Sequence, residues 1–184
     1  MGRGALVLVV GPSGAGKDTL IGKAREALAG DDRFVFPRRI VTRTAVAELE
    51  DHDTVEPAEF EEQKLRGAYA LDWRAHGLSY ALPASIKAAM TAGKVVVVNV
   101  SRTIIPQALQ KYEHVHVLLI TARPEVRAER LAVRGRETPA DIADRLAREG
   151  AAVPEGVKPV VVDNSGPLEV GLMAFVAALK ALAG

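Results

Sequence analysis

The stretch Val7-Leu8-Val9-Val10-Gly11-Pro12-Ser13-Gly14-Ala15-Gly16-Lys17-Asp18-Thr19 decides how this chain is read. Its first four residues are apolar and largely β-branched, as a strand requires. The rest fits the spacing G-x-x-x-x-G-K, and a helical pattern begins at Lys17. Strand, glycine loop and helix in that order form a phosphate-binding unit. The glycines let backbone N–H groups turn inward around anionic oxygens. The helix adds its positive N-terminal end. Gly11 to Thr19 is therefore the candidate ATP-binding segment, with Lys17 expected to reach the β- and γ-phosphates. Where the pattern calls for Ser or Thr, whose hydroxyl ligates Mg²⁺, this chain has Asp18, with Thr19 one position later. A carboxylate is a hard oxygen ligand suited to Mg²⁺. Asp18 is thus the candidate metal contact, with Mg²⁺ carried in by ATP as the expected cofactor.

Working outward, Ala5–Val10, Val95–Val100, Val115–Ile120 and Val160–Val162 are apolar runs without alternation. Strands covered on both faces have this character. Helical patterns separate them: Lys17–Ala29, Pro83–Ala92, Ile104–Tyr112, Pro124–Val133, Ala140–Gly150 and Leu168–Leu182. The alternation predicts an α/β fold with right-handed crossovers. Its centre is a parallel sheet, five-stranded if Arg39–Val41 contributes, with helices on both faces in three layers.

The 184 residues, 48% of them hydrophobic, suffice for one domain with a full core. Lys and Arg number 24 against 23 acidic residues, a net charge of +1. That balance speaks against nucleic acid or a membrane surface as partner. The chain has no cysteine, which excludes disulfides and thiolate metal sites and fits a cytoplasmic protein. Ala5–Val10 is too short for a signal core, and no run reaches a membrane-spanning length. Oligomeric state is left open.

Two further regions carry chemistry. The segment of about 37–82 is more polar and holds the only Trp; it reads as an insertion into a core of 1–36, 83–133 and 139–184. Ala58–Gly67 within it is expected to be a short helix. Arg127, Arg130, Arg134, Arg136, Arg145 and Arg148 crowd into one stretch around Arg134-Gly135-Arg136-Glu137. Arginines stabilise the charge on a phosphoryl group in transfer, and Gly135 allows a closing lid over 134–138. Arg134 and Arg136 are expected to act there; Arg127 and Arg148 are expected on a solvated helix face.

Phosphate loop, polar insertion and Arg-Gly-Arg lid, in this order, resemble the nucleoside monophosphate kinases with their P-loop NTPase fold. Arg39-Ile-Val-Thr42-Arg43 resembles the acceptor-phosphate strand of guanylate kinases. Leu71-Asp72-Trp73 with His76-Gly77-Leu78-Ser79-Tyr80 resembles their acceptor loop. Val162-Asp163-Asn164 resembles the segment beside the adenine of ATP. Gly16-Lys17-Asp18, Ile40-Val41-Thr42-Arg43, the Trp73–Leu78 stretch, Val98-Asn99-Val100-Ser101-Arg102 and Arg134-Gly135-Arg136-Glu137 together resemble the ribose 1,5-bisphosphate phosphokinases of phosphonate catabolism. The resemblance covers essentially the whole chain. It implies ATP-dependent phosphorylation of ribose 1,5-bisphosphate to 5-phosphoribosyl 1-diphosphate, with release of ADP. It makes Lys17, Arg134, Arg136 and Arg145 the catalytic candidates. It adds Asp163 and Asn164 to the ATP site. It makes Arg39, Thr42, Arg43, Asp72, Tyr80, Asn99, Ser101 and Arg102 the acceptor-binding candidates.

Some residues keep two readings. Asp72 suits a guanine contact, and so a guanylate kinase making GDP from GMP, as well as ribose hydroxyls. A non-catalytic binding module on the same fold is the rival outside enzymes. Trp73 is expected in the core, His76 packed, and His114 and His116 at the entry to a strand without metal. Asp163 and Asn164 also fit a plain turn before Gly166-Pro167. Glu50 and Asp51 are expected on a solvated face.

Overall fold

The computed structural model describes residues 4–42, 52–75, 77–133, 138, 140, 142, 143, 146 and 152–183. Among these residues five strands make the large sheet: β1 (Ala5–Val10), β2 (Phe34–Val35), β7 (Val95–Asn99), β8 (Val115–Thr121) and β9 (Val160–Asp163). Their order is β2-β7-β1-β8-β9, and every pairing is parallel. A parallel sheet needs helical crossovers, which cover both its faces. Helices α1 (Lys17–Ala27) and α6 (Leu168–Leu182) cover one face; α3 (Ile86–Thr91) and α4 (Ile105–Lys111) cover the other. Helix α5 (Pro124–Val133) follows β8.

Side-chain alternation splits the core into two clusters. Val7, Val9, Val95, Val97, Leu118, Ile120 and Val162 face α1 and α6, meeting Leu20, Ala24, Phe175 and Leu179. Leu6, Leu8, Val10, Val96 and Val98 face α3 and α4, meeting Ile86, Ile105 and Ala108. Phe175 and Leu179 are fully buried, each such side chain stabilising the fold by about 1.5–3 kcal/mol.

A second sheet comes from the polar region. It contains β3 (Arg39–Val41), β4 (His52–Thr54), β5 (Tyr69–Ala75) and β6 (Leu78–Pro83), in the order β4-β3-β6-β5. Strands β5 and β6 form an antiparallel hairpin closed at Ala75↔Leu78, with Leu71, Trp73 and Leu82 turned into the main core. Helix α2 (Pro57–Leu65) covers the opposite face, where Phe60 packs on Ala81.

Two expectations change here. Arg39–Val41 is a strand of the second sheet, and the fifth strand of the large sheet is Phe34–Val35. Pro83 ends a strand instead of opening a helix, because its neighbours Ala81 and Leu82 pair with Asp72 and Leu71. Helices α1 to α4 match within a few residues, α5 and α6 match at both ends, and the helix expected over Ala140–Gly150 lies largely outside the described residues. Among the described residues no helix is long and apolar enough to cross a membrane.

Candidate functional site

The chain leaves β1 for one edge of the sheet, returns to β7 beside β1, then passes to β8 on β1's other side. The carboxyl end of β1 is thus a topological switch point, where open α/β sheets leave a crevice for ligands. The glycine loop lies there. Gly14 and Gly16 have φ of 79° and 88°, a left-handed backbone that other residues rarely adopt. Space excludes them as well: a Cβ on Gly14 would meet the Arg127 carbonyl oxygen at 2.8 Å, and one on Gly16 would meet Asn164 Nδ2 at 2.5 Å. Gly16 has no side chain to cap α1, which suits the first N–H groups of that helix to an anion. Lys17 Nζ arches back over the loop and donates to the carbonyls of Gly11 (2.8 Å) and Pro12 (3.1 Å).

The back of the loop rests on α5 and on the end of β9. Arg127 is 3% exposed, and its Nε donates to the Ser13 carbonyl at 3.0 Å. The expectation of a solvated face for Arg127 is therefore overturned: it shares the inner side of α5 with Leu131, one turn later, which is also buried. Arg130 donates through Nη1 to the carbonyls of Gly14 and Ala15, both at 3.4 Å, and through Nη2 to that of Asn164 at 2.8 Å. Asn164, itself buried, donates from Nδ2 to the Ala15 carbonyl at 2.8 Å. Its side chain thus supports the loop from behind. Asp163 is turned into a local bend, accepting from the hydroxyl and the N–H of Ser165. The Ser165 hydroxyl, followed by its backbone N–H, holds the Asp163 carboxyl below the ordinary carboxylate range.

Of the residues expected to bind the acceptor, the structure brings Arg39, Asn99 and Tyr80 together with Asp18. Asn99, at the carboxyl end of β7, donates from Nδ2 to Asp18 Oδ1 at 2.6 Å. The Arg39 guanidinium lies 3.7 Å from the same oxygen and 5.8 Å from the centroid of the Tyr80 ring. Tyr80 stacks on buried Trp73 with centroids 5.5 Å apart. Asp18 is therefore tied to both sheets, beyond the metal contact expected of it.

Other acceptor candidates are turned to structural contacts. The Thr42 hydroxyl accepts from the Ser79 N–H at 2.8 Å, so this buried residue fastens β3 to β6. Ser101 caps the short turn Arg102–Ile104, its Oγ accepting from the Thr103 N–H and hydroxyl. Asp72 is not brought to the group around Tyr80. It is paired in register with Ala81, on the face of β5 opposite Trp73, and its carboxylate pairs with Lys64 of α2. Strand alternation forces this separation. Arg102 begins that turn, half-buried. Arg43, Arg134, Arg136, Arg145, Arg148, His76, Glu50, Asp51 and residues 134–137 of the expected lid lie outside the described residues. His116 sits in β8 beside His114, and among the described residues no three His, Cys, Asp or Glu gather as an ion site. Mg²⁺ can be held by one or two carboxylates plus substrate phosphates, and Asp18 beside Lys17 suits that donor set.

A ribose 1,5-bisphosphate phosphokinase PhnN of Methylobacterium radiotolerans is 49% identical over 178 residues, covering 97% of this chain and 98% of that protein. The protein of the same name from Brucella melitensis is 46% identical over 181 residues, covering 98% and 94%. No family model matches. Among solved structures, a guanylate kinase from Anaplasma phagocytophilum superposes with a TM-score of 0.71 at 17% identity, over 98% of this chain and 86% of that one, which shows the shared fold. With identity near one half along the full length of both chains, this chain belongs to the ribose 1,5-bisphosphate phosphokinase family.

Proposed function

We propose that this kinase moves the γ-phosphoryl of ATP onto ribose 1,5-bisphosphate, giving 5-phosphoribosyl 1-diphosphate and ADP. Because the product is a 1-diphosphate, the attacking oxygen belongs to the 1-phosphate, not to the phosphate at the 5 end. The bond from the γ-phosphorus to the β,γ-bridging oxygen breaks, and one from that phosphorus to the 1-phosphate oxygen forms. A phosphate oxygen at neutral pH is already nucleophilic. The chain's task is to hold two anions in line and neutralise them. Lys17 and the loop N–H groups hold the donor; Arg134, Arg136 and Arg145 stabilise the group in transfer. Arg39, Arg43, Arg102 and Asn99 hold the acceptor, and Asp163 lies toward the adenine. Mg²⁺, when bound with ATP, neutralises phosphate charge, with Asp18 as its protein contact.

The observation that carries this reading is the meeting of Arg39 and Asn99 at the carboxylate of Asp18, one residue beyond Lys17. Cationic and amide donors for an acceptor phosphate thereby stand next to the donor's phosphate loop. The test is ADP release with ribose 1,5-bisphosphate and with GMP, side by side. Turnover in the usual enzymatic range of about 1–10³ s⁻¹ is expected with the sugar bisphosphate. Such turnover with GMP alone would establish a guanylate kinase instead, and turnover with neither would leave the binding module.

Asp18 has its own expected result. Asp18→Ala should shift the Mg²⁺ titration of ATP turnover to higher concentration by about tenfold, the size of one good charged contact. It should also raise the acceptor KM, because Arg39 and Asn99 lose their common partner. An unchanged Mg²⁺ titration would remove Asp18 from the metal's surroundings.

A further inference from the structure

The carbonyl oxygens from Gly11 to Ala15 all receive side-chain donors. Lys17 takes those of Gly11 and Pro12, Arg127 that of Ser13, Arg130 those of Gly14 and Ala15, and Asn164 that of Ala15 as well. A trans peptide is planar, with C=O of one residue opposed to N–H of the next. Fixing the Ser13 carbonyl toward α5 therefore fixes the Gly14 N–H away from it. Fixing the Ala15 carbonyl does the same for the Gly16 N–H. The intervening Ala15 N–H closes a turn onto the Pro12 carbonyl at 3.3 Å. The loop thus turns the Gly14 and Gly16 N–H groups inward because the Ser13 and Ala15 carbonyls are held from behind.

Within this arrangement Arg127 stands apart. Arg130 and Asn164 hold the second half of the loop, whereas Arg127 is the side chain shown on the Ser13 carbonyl. It is a guanidinium at 3% exposure, set on a helix whose backbone touches the loop at Gly14. Burying such a group is costly unless its donors are used, and a cation beneath the loop raises the potential where phosphate oxygens gather.

We propose that Arg127 is a positioning residue for the phosphate loop: it orients the Ser13–Gly14 peptide for ATP phosphate and supplies buried positive charge behind it. This rests on the reading in which the loop holds ATP. It predicts a split between the two substrates. Arg127→Met removes donor and charge at similar length and should raise the dissociation constant for Mg·ATP, measured by calorimetry, about tenfold. The acceptor KM at saturating ATP should stay within about twofold, which is small on this scale. Arg127→Lys keeps the charge and one donor and should recover part of the lost affinity. A merely structural role would lower melting temperature and impair both substrates alike.

Wild-type protein is the control. If it fails to bind Mg·ATP, the ATP reading itself fails. If it binds and folded Arg127→Met binds equally well, the positioning role is overturned. Should Arg127→Met not fold, Arg127→Lys decides by the same measure: weaker ATP binding with an unchanged acceptor KM supports the role, and unchanged ATP binding overturns it.

Discussion

Lys17→Met is expected to lower kcat by about 10²–10³-fold, the cost of removing one preorganised charged donor from a transferring group. The structure gives the reason. Lys17 Nζ sits over the loop, bonded to Gly11 and Pro12 at its near end, so its ammonium stands at the concave side that the loop N–H groups face. Methionine matches the length and loses only the charge and donors. Folding should suffer little, since a typical internal hydrogen bond contributes only about 0.5–1.5 kcal/mol. Lys17→Arg should not restore the rate, because a planar fork cannot replace a compact ammonium between two loop carbonyls. The measurement is steady-state ADP release with a matched thermal melt. A fall of less than tenfold would take Lys17 out of the phosphoryl site.

Arg134→Ala should be as damaging or worse, about 10³-fold in kcat by analogy with arginines that meet a phosphoryl group in flight. Arg134 follows Val133, the last residue of α5, directly in sequence. An interaction made only in the transition state lowers kcat and kcat/KM together and leaves ground-state binding alone. The expected pattern is therefore a collapsed rate with an ATP dissociation constant near that of the wild type. This is the reverse of Arg127→Met, where affinity changes first. Arg134→Ala within threefold of wild-type kcat would contradict the assignment.

The parts of this fold that were legible in the sequence have a common property: their pattern is local and long enough to read. The runs Ala5–Val10 and Val95–Val100 lack alternation because helices cover both faces of their strands, and the structure places them at the sheet centre. Helices α5 and α6 carry their own boundaries, beginning after or at a proline. Phe34–Val35 is too short for any period to show. The β5–β6 hairpin was readable, since Leu71, Trp73 and Ala75 alternate with Asp72 and Arg74, and Leu78, Tyr80 and Leu82 alternate across Gly77. The resemblance of this stretch to an acceptor loop groups Asp72 with Tyr80, whereas strand alternation sets them on opposite faces.

The candidate site divides the same way. The phosphate loop is a contiguous motif, so its geometry follows from its residues. Its supports do not. Asn164 and Ala15 are 149 positions apart, and Arg127 and Ser13 are 114 apart. One hint did exist for Arg127: it lies four residues before Leu131, on the same helix face. The partners of Asp18 lie in two different sheets, and no spacing in the sequence announces them.

The most direct test of the whole account is a ³¹P NMR competition. Purified protein receives Mg·ATP with equal concentrations of ribose 1,5-bisphosphate and GMP in one tube. The account predicts ADP together with new diphosphate resonances on the ribose C1 position, an intact 5-phosphate resonance, and no GDP. Formation of GDP with the sugar bisphosphate untouched, or a diphosphate built at the 5 end, would contradict it.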